Sequence, residues 1–267
     1  MQPNLHSSDQ LAVCIAAMLL VLCGQLVAPV TAADWPHRII KGPFVIHADF
    51  PLASREPLFS ELAQLQSDLQ TQLKIGAPRE PIHVYLFHDK NSYTSYMRRY
   101  FPHITPRRAM FIKSNSPGNV FAYDSPALPV DLRHECTHAI LHACMIPAPL
   151  WLDEGLAEYF EVSRHERKTS NPHHSKMRPK FYWMKTPSLR RLEDIRSLDG
   201  MGAREYRESW AWVHFMLHGP AAVNEVLLIF LKSLQDGQLA NPISQQLAAF
   251  ENLNAVFAQH FRRRDLR

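Results

Sequence analysis

Apolar residues recur along the chain with two different periods. Over Glu56–Ile75 they are three or four residues apart, which predicts an amphipathic helix that Gly76 and Pro78 end. Ile82–Phe87 instead alternates and is rich in strand formers, so it is a predicted core strand, and Phe44–Ala48 is a second. The apolar positions of the helix are Leu58, Leu62, Leu65, Leu69 and Leu73.

The same patterns divide the chain into two unlike halves. Before residue 126, Met110–Ile112 and Gly118–Asp124 are further candidate strands, and Asn91–Tyr100 is a short helix. After it, helical patterns follow one another to the end of the chain. We therefore expect an α+β fold, with a small mixed or antiparallel sheet first and an all-helical half after it. The later predicted helices include Ser188–Leu198, Glu205–His218, Ala221–Gln235 and Pro242–Arg264.

The segment His134–His138 reads His-Glu-Cys-Thr-His. Four residues turn a helix through about 400°, so both imidazoles lie on one face, one turn apart. That spacing lets both rings reach a single Zn²⁺, because Zn–N bonds are about 2.0–2.1 Å long. Glu135 lies about 100° around the helix, where it can touch a water at the metal without sharing the metal. A buried histidine pair is the alternative, since the chain has 15 histidines.

A second motif follows in the stretch Trp151–Glu161, which reads WLDEGLAEYFE. A catalytic zinc takes three protein ligands and keeps one position open, and Glu154 on a neighbouring helix would supply the third ligand. Glu158 is one helical turn further along, and we expect it to accept the second N–H of a ligating imidazole. Gly155 in mid-helix predicts a close approach to the helix of the first motif.

HECTH followed by WLDEGLAEYF resembles the gluzincin group of zinc metallopeptidases, in which H-E-x-x-H is completed by a downstream glutamate. The pair of motifs is most similar to the uncharacterised bacterial peptidase-MA-like family of small exported proteins. This resemblance implies that His134, His138 and Glu154 bind one zinc ion per chain and that Glu135 is the general base. The interval between the motifs is shorter than in the large aminopeptidases, which leaves Glu158 as the alternative third ligand.

The resemblance implies a zincin-like fold, with the active site in the cleft between the sheet region and the helical half. In gluzincins an edge strand beside the zinc helix pairs with the bound peptide, and Gly118–Asp124 is our candidate for that strand. Gluzincins also bring a Tyr or His from a C-terminal helix to the developing oxyanion. Tyr206 is the candidate and His214 the reserve, with core packing as the alternative for both.

The first 32 residues predict a signal peptide. Residues 11–30 are apolar, and the small residues Ala32 and Ala33 predict cleavage after one of them. The first ten residues carry no Lys or Arg, and residues 11–30 could just span a bilayer, so an uncleaved membrane anchor is the alternative. The predicted organisation is therefore a leader at 1–32, an α+β region with the edge strand at 33–125, and a helical, zinc-binding catalytic region at 126–267.

Composition limits the function without identifying it. With 267 residues, 46% of them hydrophobic and 20% charged, the chain is predicted to be globular and large enough for one core or for two lobes that share one. The formal net charge of +4 is small and spread out, so we expect no nucleic-acid partner. Cys136 and Cys144 would lie about 12 Å apart on the zinc helix, beyond disulfide reach.

The sequence thus predicts an exported zinc metallopeptidase, periplasmic or secreted, that hydrolyses a peptide or protein substrate. Glu135 would take the proton of a zinc-activated water and pass it to the leaving amine. The alternative is a non-hydrolytic zincin-fold protein that binds a cell-envelope partner, although the presence of Glu135 favours catalysis. Contact with a membrane is expected only if the leader stays uncleaved.

Overall fold

The computed structural model describes residues 35–113, 118–177 and 186–262. The predicted leader, residues 1–32, lies outside the described residues, as do both predicted cleavage positions. Five strands in the N-terminal region form one mixed sheet, and helices dominate the rest, which confirms the α+β class. The strands are β1 (His37–Lys41), β2 (Phe44–Ala48), β3 (Ile82–Phe87), β4 (Ala109–Ile112) and β5 (Asn119–Tyr123).

The order of the strands in the sheet is β1-β2-β3-β5-β4. β1 and β2 form an antiparallel hairpin whose turn contains Gly42 at φ 54°, and β2, β3 and β5 run parallel. β4 returns antiparallel to β5 and is the last strand on that side of the sheet among the described residues. The prediction that Gly118–Asp124 is the edge strand was therefore wrong. Asn119–Tyr123 lies inside the sheet because Ala109–Ile112 covers its outer side.

Ten α-helices occur among the described residues. The predicted helices near residues 56–75, 91–100, 205–218 and 221–235 are confirmed, whereas Ser188–Leu198 contains only a short α-helix. The last predicted helix is broken at Asn252, whose φ of 56° is left-handed. The helices are α1 (Glu56–Leu73), α2 (Lys90–Tyr100), α3 (Leu128–Ala143), α4 (Leu150–Phe160), α5 (Pro172–Met177), α6 (Leu189–Glu193), α7 (Ala203–His218), α8 (Ala221–Gln235), α9 (Ile243–Leu247) and α10 (Leu253–Arg262).

No single helix within the described ranges is long and apolar enough to cross a membrane, although α7 and α8 together have the length and composition as a pair bent by 111°.

The two faces of the sheet pack against different helices. Val84 and its neighbours on one face join a core that includes α1, α3 and α4 and continues to Phe261 on α10. Phe87 and Phe121 on the other face pack under α2, around Tyr93. The strand alternation predicted for β3 is thus real: Ile82, Val84 and Leu86 are buried on one face, while the other face is half-buried at His83 and Tyr85 and buried only at Phe87.

Helices α3 and α4 run antiparallel, joined by a short turn that includes Met145 at φ 59°. Contacts between the two helices show the direction, because Arg133 near the start of α3 bonds the carbonyl of Glu161 just after α4. Helix α4 also packs closely on α7. A Cβ at Gly155 would lie 2.8 Å from the carbonyl oxygen of Ser209. Gly155 therefore permits the approach of α7 rather than that of the helix of His134, which α4 contacts through other residues such as Asp153 and Glu154.

Candidate metal centre

Three side chains from two helices converge on one point. The Oε2 atom of Glu154 lies 3.6 Å from Nε2 of His134 and 3.7 Å from Nε2 of His138. In a tetrahedral site with bonds of about 2.0–2.1 Å, neighbouring ligand atoms are roughly 3.3 Å apart. The two distances that involve the carboxylate exceed this value by only a few tenths of an ångström, and all three ligand atoms lie within 4.8 Å of one another. Glu154 is the acid that meets both imidazoles, while Glu158 joins a group with His134 and Glu161 that does not include His138.

The antiparallel course of α3 and α4 explains which residues meet. His138, later on α3, lies beside the start of α4, and its Nδ1 is 2.9 Å from Oδ2 of Asp153. His134, a turn earlier, lies beside the end of α4, and its Nδ1 is 3.0 Å from Oε2 of Glu161. A carboxylate that accepts the Nδ1–H bond leaves the lone pair on Nε2, which is the atom that faces Glu154.

Glu158 does not have the predicted role of imidazole partner. Its Oε2 bonds Nε2 of His173 instead, at the start of α5. The acids that hold the two ligating rings are Asp153, next to Glu154, and Glu161, one turn beyond Glu158. Their position follows from the antiparallel packing, which brings Asp153 to His138 and Glu161 to His134.

The carboxylates reverse the usual effect of burial on these histidines. Burial alone would lower the pKa of His134, but Glu154 and Glu161 hold it well above its ordinary value. The pKa of His138 is raised to about 9, against the effect of burial, by Asp153 and Glu154. Burial would raise the pKa of Glu154, yet the imidazoles, His138 foremost, bring it below its ordinary value. A cation that binds here displaces protons from the rings, so its binding strengthens as pH rises.

Glu135 projects from the same helix towards the sheet. Its Oε2 accepts a hydrogen bond of 2.6 Å from the backbone N–H of Phe111 on β4. Beside it, Arg108 bonds Asp131 in the first turn of α3 at 2.8 Å and ties the start of β4 to that helix. The free edge of β4 therefore runs directly past the predicted general base.

Tyr206 is close enough to Glu154 for the carboxylate to help raise its pKa, whereas His214 is buried in the core. Burial raises the pKa of the Tyr206 hydroxyl, the nearby Glu154 adds to the rise, and the adjacent guanidinium of Arg107 opposes it. His214 is fully buried, with Nδ1 2.9 Å from His260 and Nε2 2.8 Å from the carbonyl oxygen of Lys168. Both of its ring nitrogens are engaged in the core, so the reserve candidate is excluded.

Sequence reasoning missed Arg107, Asp153 and Glu161. The two acids stand inside or next to the second motif, and Glu161 is seven residues after Glu154, which is two helical turns on the same face. Knowledge of the antiparallel packing would have pointed to them. Arg107 lies in an irregular segment before β4, and such a segment has no periodic pattern of apolar residues from which its position could be predicted.

No protein-family model matches this sequence, and a search of curated proteins found no match either. The candidate centre therefore depends on its own geometry. That geometry consists of two imidazole nitrogens and a carboxylate oxygen within 4.8 Å of one another.

Proposed function

We propose that the chain is a zinc-dependent peptidase of the gluzincin type with a zincin-like fold. The observation that carries the proposal is the convergence of His134, His138 and Glu154, with both Nε2 atoms turned towards the carboxylate. Two imidazoles and one glutamate form a set of donors suited to a catalytic zinc, because they leave the fourth coordination position for water or substrate. The mixed sheet supports the zincin-like fold, since its antiparallel edge strand borders the helix that carries the ligands.

Zinc held by these three residues would supply a Lewis acid that polarises a carbonyl group and lowers the pKa of a water molecule to about 7. Glu135 would take a proton from that water and deliver it to the leaving amine. The Phe111 N–H keeps the Glu135 carboxylate turned towards the free edge, where a substrate would lie. Tyr206, with Arg107 beside its hydroxyl, would stabilise the negative charge that develops on the substrate oxygen.

The substrate of this proposal is a peptide in extended conformation. A free sheet edge offers backbone N–H and C=O groups to such a chain, which can add as a further strand. β4 is the edge strand of the described sheet on this side, and the N–H of Phe111 on it is bonded to Glu135. We therefore assign the pairing with the substrate peptide, which the sequence analysis expected of Gly118–Asp124, to Ala109–Ile112. Export of the chain, with removal of residues 1–32, remains part of the proposal and is tested by N-terminal sequencing of the protein from fractionated cells.

The test is Glu135→Gln in the zinc-loaded protein, assayed on a diverse peptide library. We expect the wild type to cleave peptides and the variant to lose about 10²- to 10⁴-fold in rate, because a general base contributes that much. Zinc content should be the same in both proteins. A wild type that binds zinc but cleaves nothing would favour the non-hydrolytic alternative, and full activity of the variant would refute the role of Glu135.

A further inference from the structure

A cavity of about 320 Å³ opens on a different face of α4 from the metal centre. Tyr159, which lines it, lies five residues after Glu154 and therefore about 140° further around the helix. The other walls come from α1, α7, α8 and the segment that follows α4. Besides Tyr159, the polar lining includes Gln72, Arg164, Lys168, His218 and Asn224.

The lining of the cavity is positively charged. Arg164, Arg167 and Lys168 contribute to it, and none of the described acidic residues does. The buried carboxylate of Asp68 bonds Nη1 of Arg167 at 2.6 Å and lies 3.6 Å from Nε of Arg164. Asp68 therefore offsets only part of the positive charge that these three side chains bring to the lining.

The buried member of this set has a fixed orientation. Arg167 is 3% exposed, its guanidinium lies 4.9 Å from the centre of the Phe160 ring, and Nη1 bonds Asp68. Its Nε points to the carbonyl of Val162 at 3.4 Å. No other residue in the described ranges takes the N–H groups of Nη2. Arginine presents its donors in a rigid fork, so these remaining donors are available to a ligand without reorganisation.

Other polar groups of the cavity are fixed by bonds to the core. The Tyr159 hydroxyl lies 2.8 Å from Nε2 of His218, and the Lys168 carbonyl accepts a bond of 2.8 Å from Nε2 of the buried His214. The backbone around Lys168 is therefore anchored, although its ammonium is exposed. A site with anchored donors loses less entropy on binding than one made of free surface side chains.

We propose that this cavity binds a phosphate group, free or carried by a small organic molecule. Arg164 and Lys168 would neutralise the charge at the rim, and Arg167 would donate from below. Arginine matches phosphate geometry with paired N–H donors, and lysine adds a point charge. The volume corresponds to roughly ten water molecules at about 30 Å³ each, which leaves room for an organic part. The proposal does not depend on the function of the metal centre.

The test is calorimetric titration of the full chain with inorganic phosphate and, separately, glycerol 3-phosphate, at ionic strength kept constant with NaCl. We expect saturable binding and a shift of the His218 ring resonances in NMR spectra. Arg164→Gln with Lys168→Gln should weaken binding at least about tenfold, because hydrogen bonds to charged groups are lost. Both side chains are exposed, so the variant should keep the wild-type unfolding midpoint without phosphate.

The matched control is Lys90→Gln with Arg98→Gln, which removes the same charge from exposed positions on α2. It should bind phosphate within about twofold of the wild type, since distant exposed charges are screened by salt. Absence of saturable binding to the wild type would overturn the proposal. So would equal weakening in both double variants, which would show a general effect of net charge. Tighter binding of glycerol 3-phosphate than of inorganic phosphate would identify an organic phosphate as the ligand class.

Discussion

Two groups of buried or half-buried histidines lie against different faces of α4, and their surroundings differ. His134 and His138 have carboxylates at both ring nitrogens, from Glu154 on one side and from Glu161 or Asp153 on the other. His214 and His218 have rings, a hydroxyl and a backbone carbonyl as neighbours instead. Burial acts to lower the histidine pKa values in both groups. In the first group the carboxylates outweigh this effect and the pKa values of His134 and His138 are raised, whereas in the second group those of His214 and His218 are lowered.

The comparison shows that the density of histidines does not define a metal site. A cation pays a desolvation cost in either place, and only negative ligands or partners offset it. The group around His214 would place a cation among aromatic rings, whereas the group at His134 and His138 offers it Glu154 as a ligand. We therefore expect metal binding to respond to substitutions in the first group and to ignore those in the second.

The largest expected effect is that of His138→Ala. Loss of a direct ligand should weaken zinc affinity by more than about 100-fold, which exceeds the roughly 10- to 100-fold effect of changes in the partners of ligands. Competition with a chromogenic chelator measures this affinity. The matched variant in the other group is His218→Ala, for which we expect wild-type affinity. Equal losses in the two variants would break the comparison.

Tyr206→Phe tests the start of α7, where the charge of Glu154 reaches the Tyr206 hydroxyl, whereas His218 at the end of the same helix belongs to the second group. Removal of one donor to a developing oxyanion costs about 10²- to 10³-fold in kcat, and we expect the lower part of that range because Arg107 remains. Zinc content should not change. Steady-state kinetics on the best peptide substrate provides the measurement, and an unchanged kcat would remove Tyr206 from the site.

Asp153→Asn and Glu161→Gln test whether the outer carboxylates distinguish the two groups. Each should weaken zinc affinity by about 10- to 100-fold, because the ring that it orients loses a charged acceptor. Glu158→Gln is the control, since Glu158 bonds His173 rather than a ligating ring. If Glu158→Gln weakened zinc binding more than the other two variants, the original sequence prediction would be right and the present assignment wrong.

Gly155→Ala tests the packing of α4 on α7, which separates the two groups. The added Cβ would meet the backbone carbonyl of Ser209 at 2.8 Å, and backbone cannot move as easily as the end of a side chain. We expect a loss of about 1–3 kcal/mol in the free energy of unfolding, measured with urea. At Gly76→Ala the neighbour is the flexible amide of Gln235, at 3.1 Å, so the loss should be smaller. A neutral Gly155→Ala would contradict the close approach.

The smallest expected effect is on the pH dependence of stability. Burial, assisted by Lys168, lowers the pKa of His218 to about 4. Between that value and about 6.5 the unfolded chain binds more protons, so His218 contributes a loss of stability as pH falls through this window. Thermal unfolding of His218→Gln should show a weaker dependence on pH than the wild type between pH 6.5 and 4. The same change at the exposed His103 should leave the wild-type dependence intact.

Local patterns in the sequence were sufficient for most elements. The leucine spacing of α1, the alternation of β3 and the two histidines of α3 each depend on contacts within one element, and all three occur as predicted. Cys136 and Cys144 are free and buried, as their spacing required. The hairpin strand β1 was missed, because its outward positions give no clear apolar signal.

Features that depend on contacts between distant segments could not be predicted from local sequence patterns. The order β3-β5-β4 is decided by where Ala109–Ile112 docks, and no period in Asn119–Tyr123 reveals a neighbour on its outer side. Similarly, the choice of Asp153 and Glu161 over Glu158 depends on the antiparallel course of α4 beside α3. Sequence spacing placed these acids on one helix, and only the packing decides which of them meets each imidazole.

X-ray absorption at the zinc edge, on the protein loaded with one equivalent of zinc, tests the central assignment most directly. We predict one tightly bound zinc per chain, with scattering from two imidazoles and further oxygen ligands at about 2.0–2.2 Å. His138→Ala should lose one imidazole contribution. A sulfur shell at about 2.3 Å, which would point to Cys136 or Cys144, or a spectrum without imidazole scattering, would contradict the assignment.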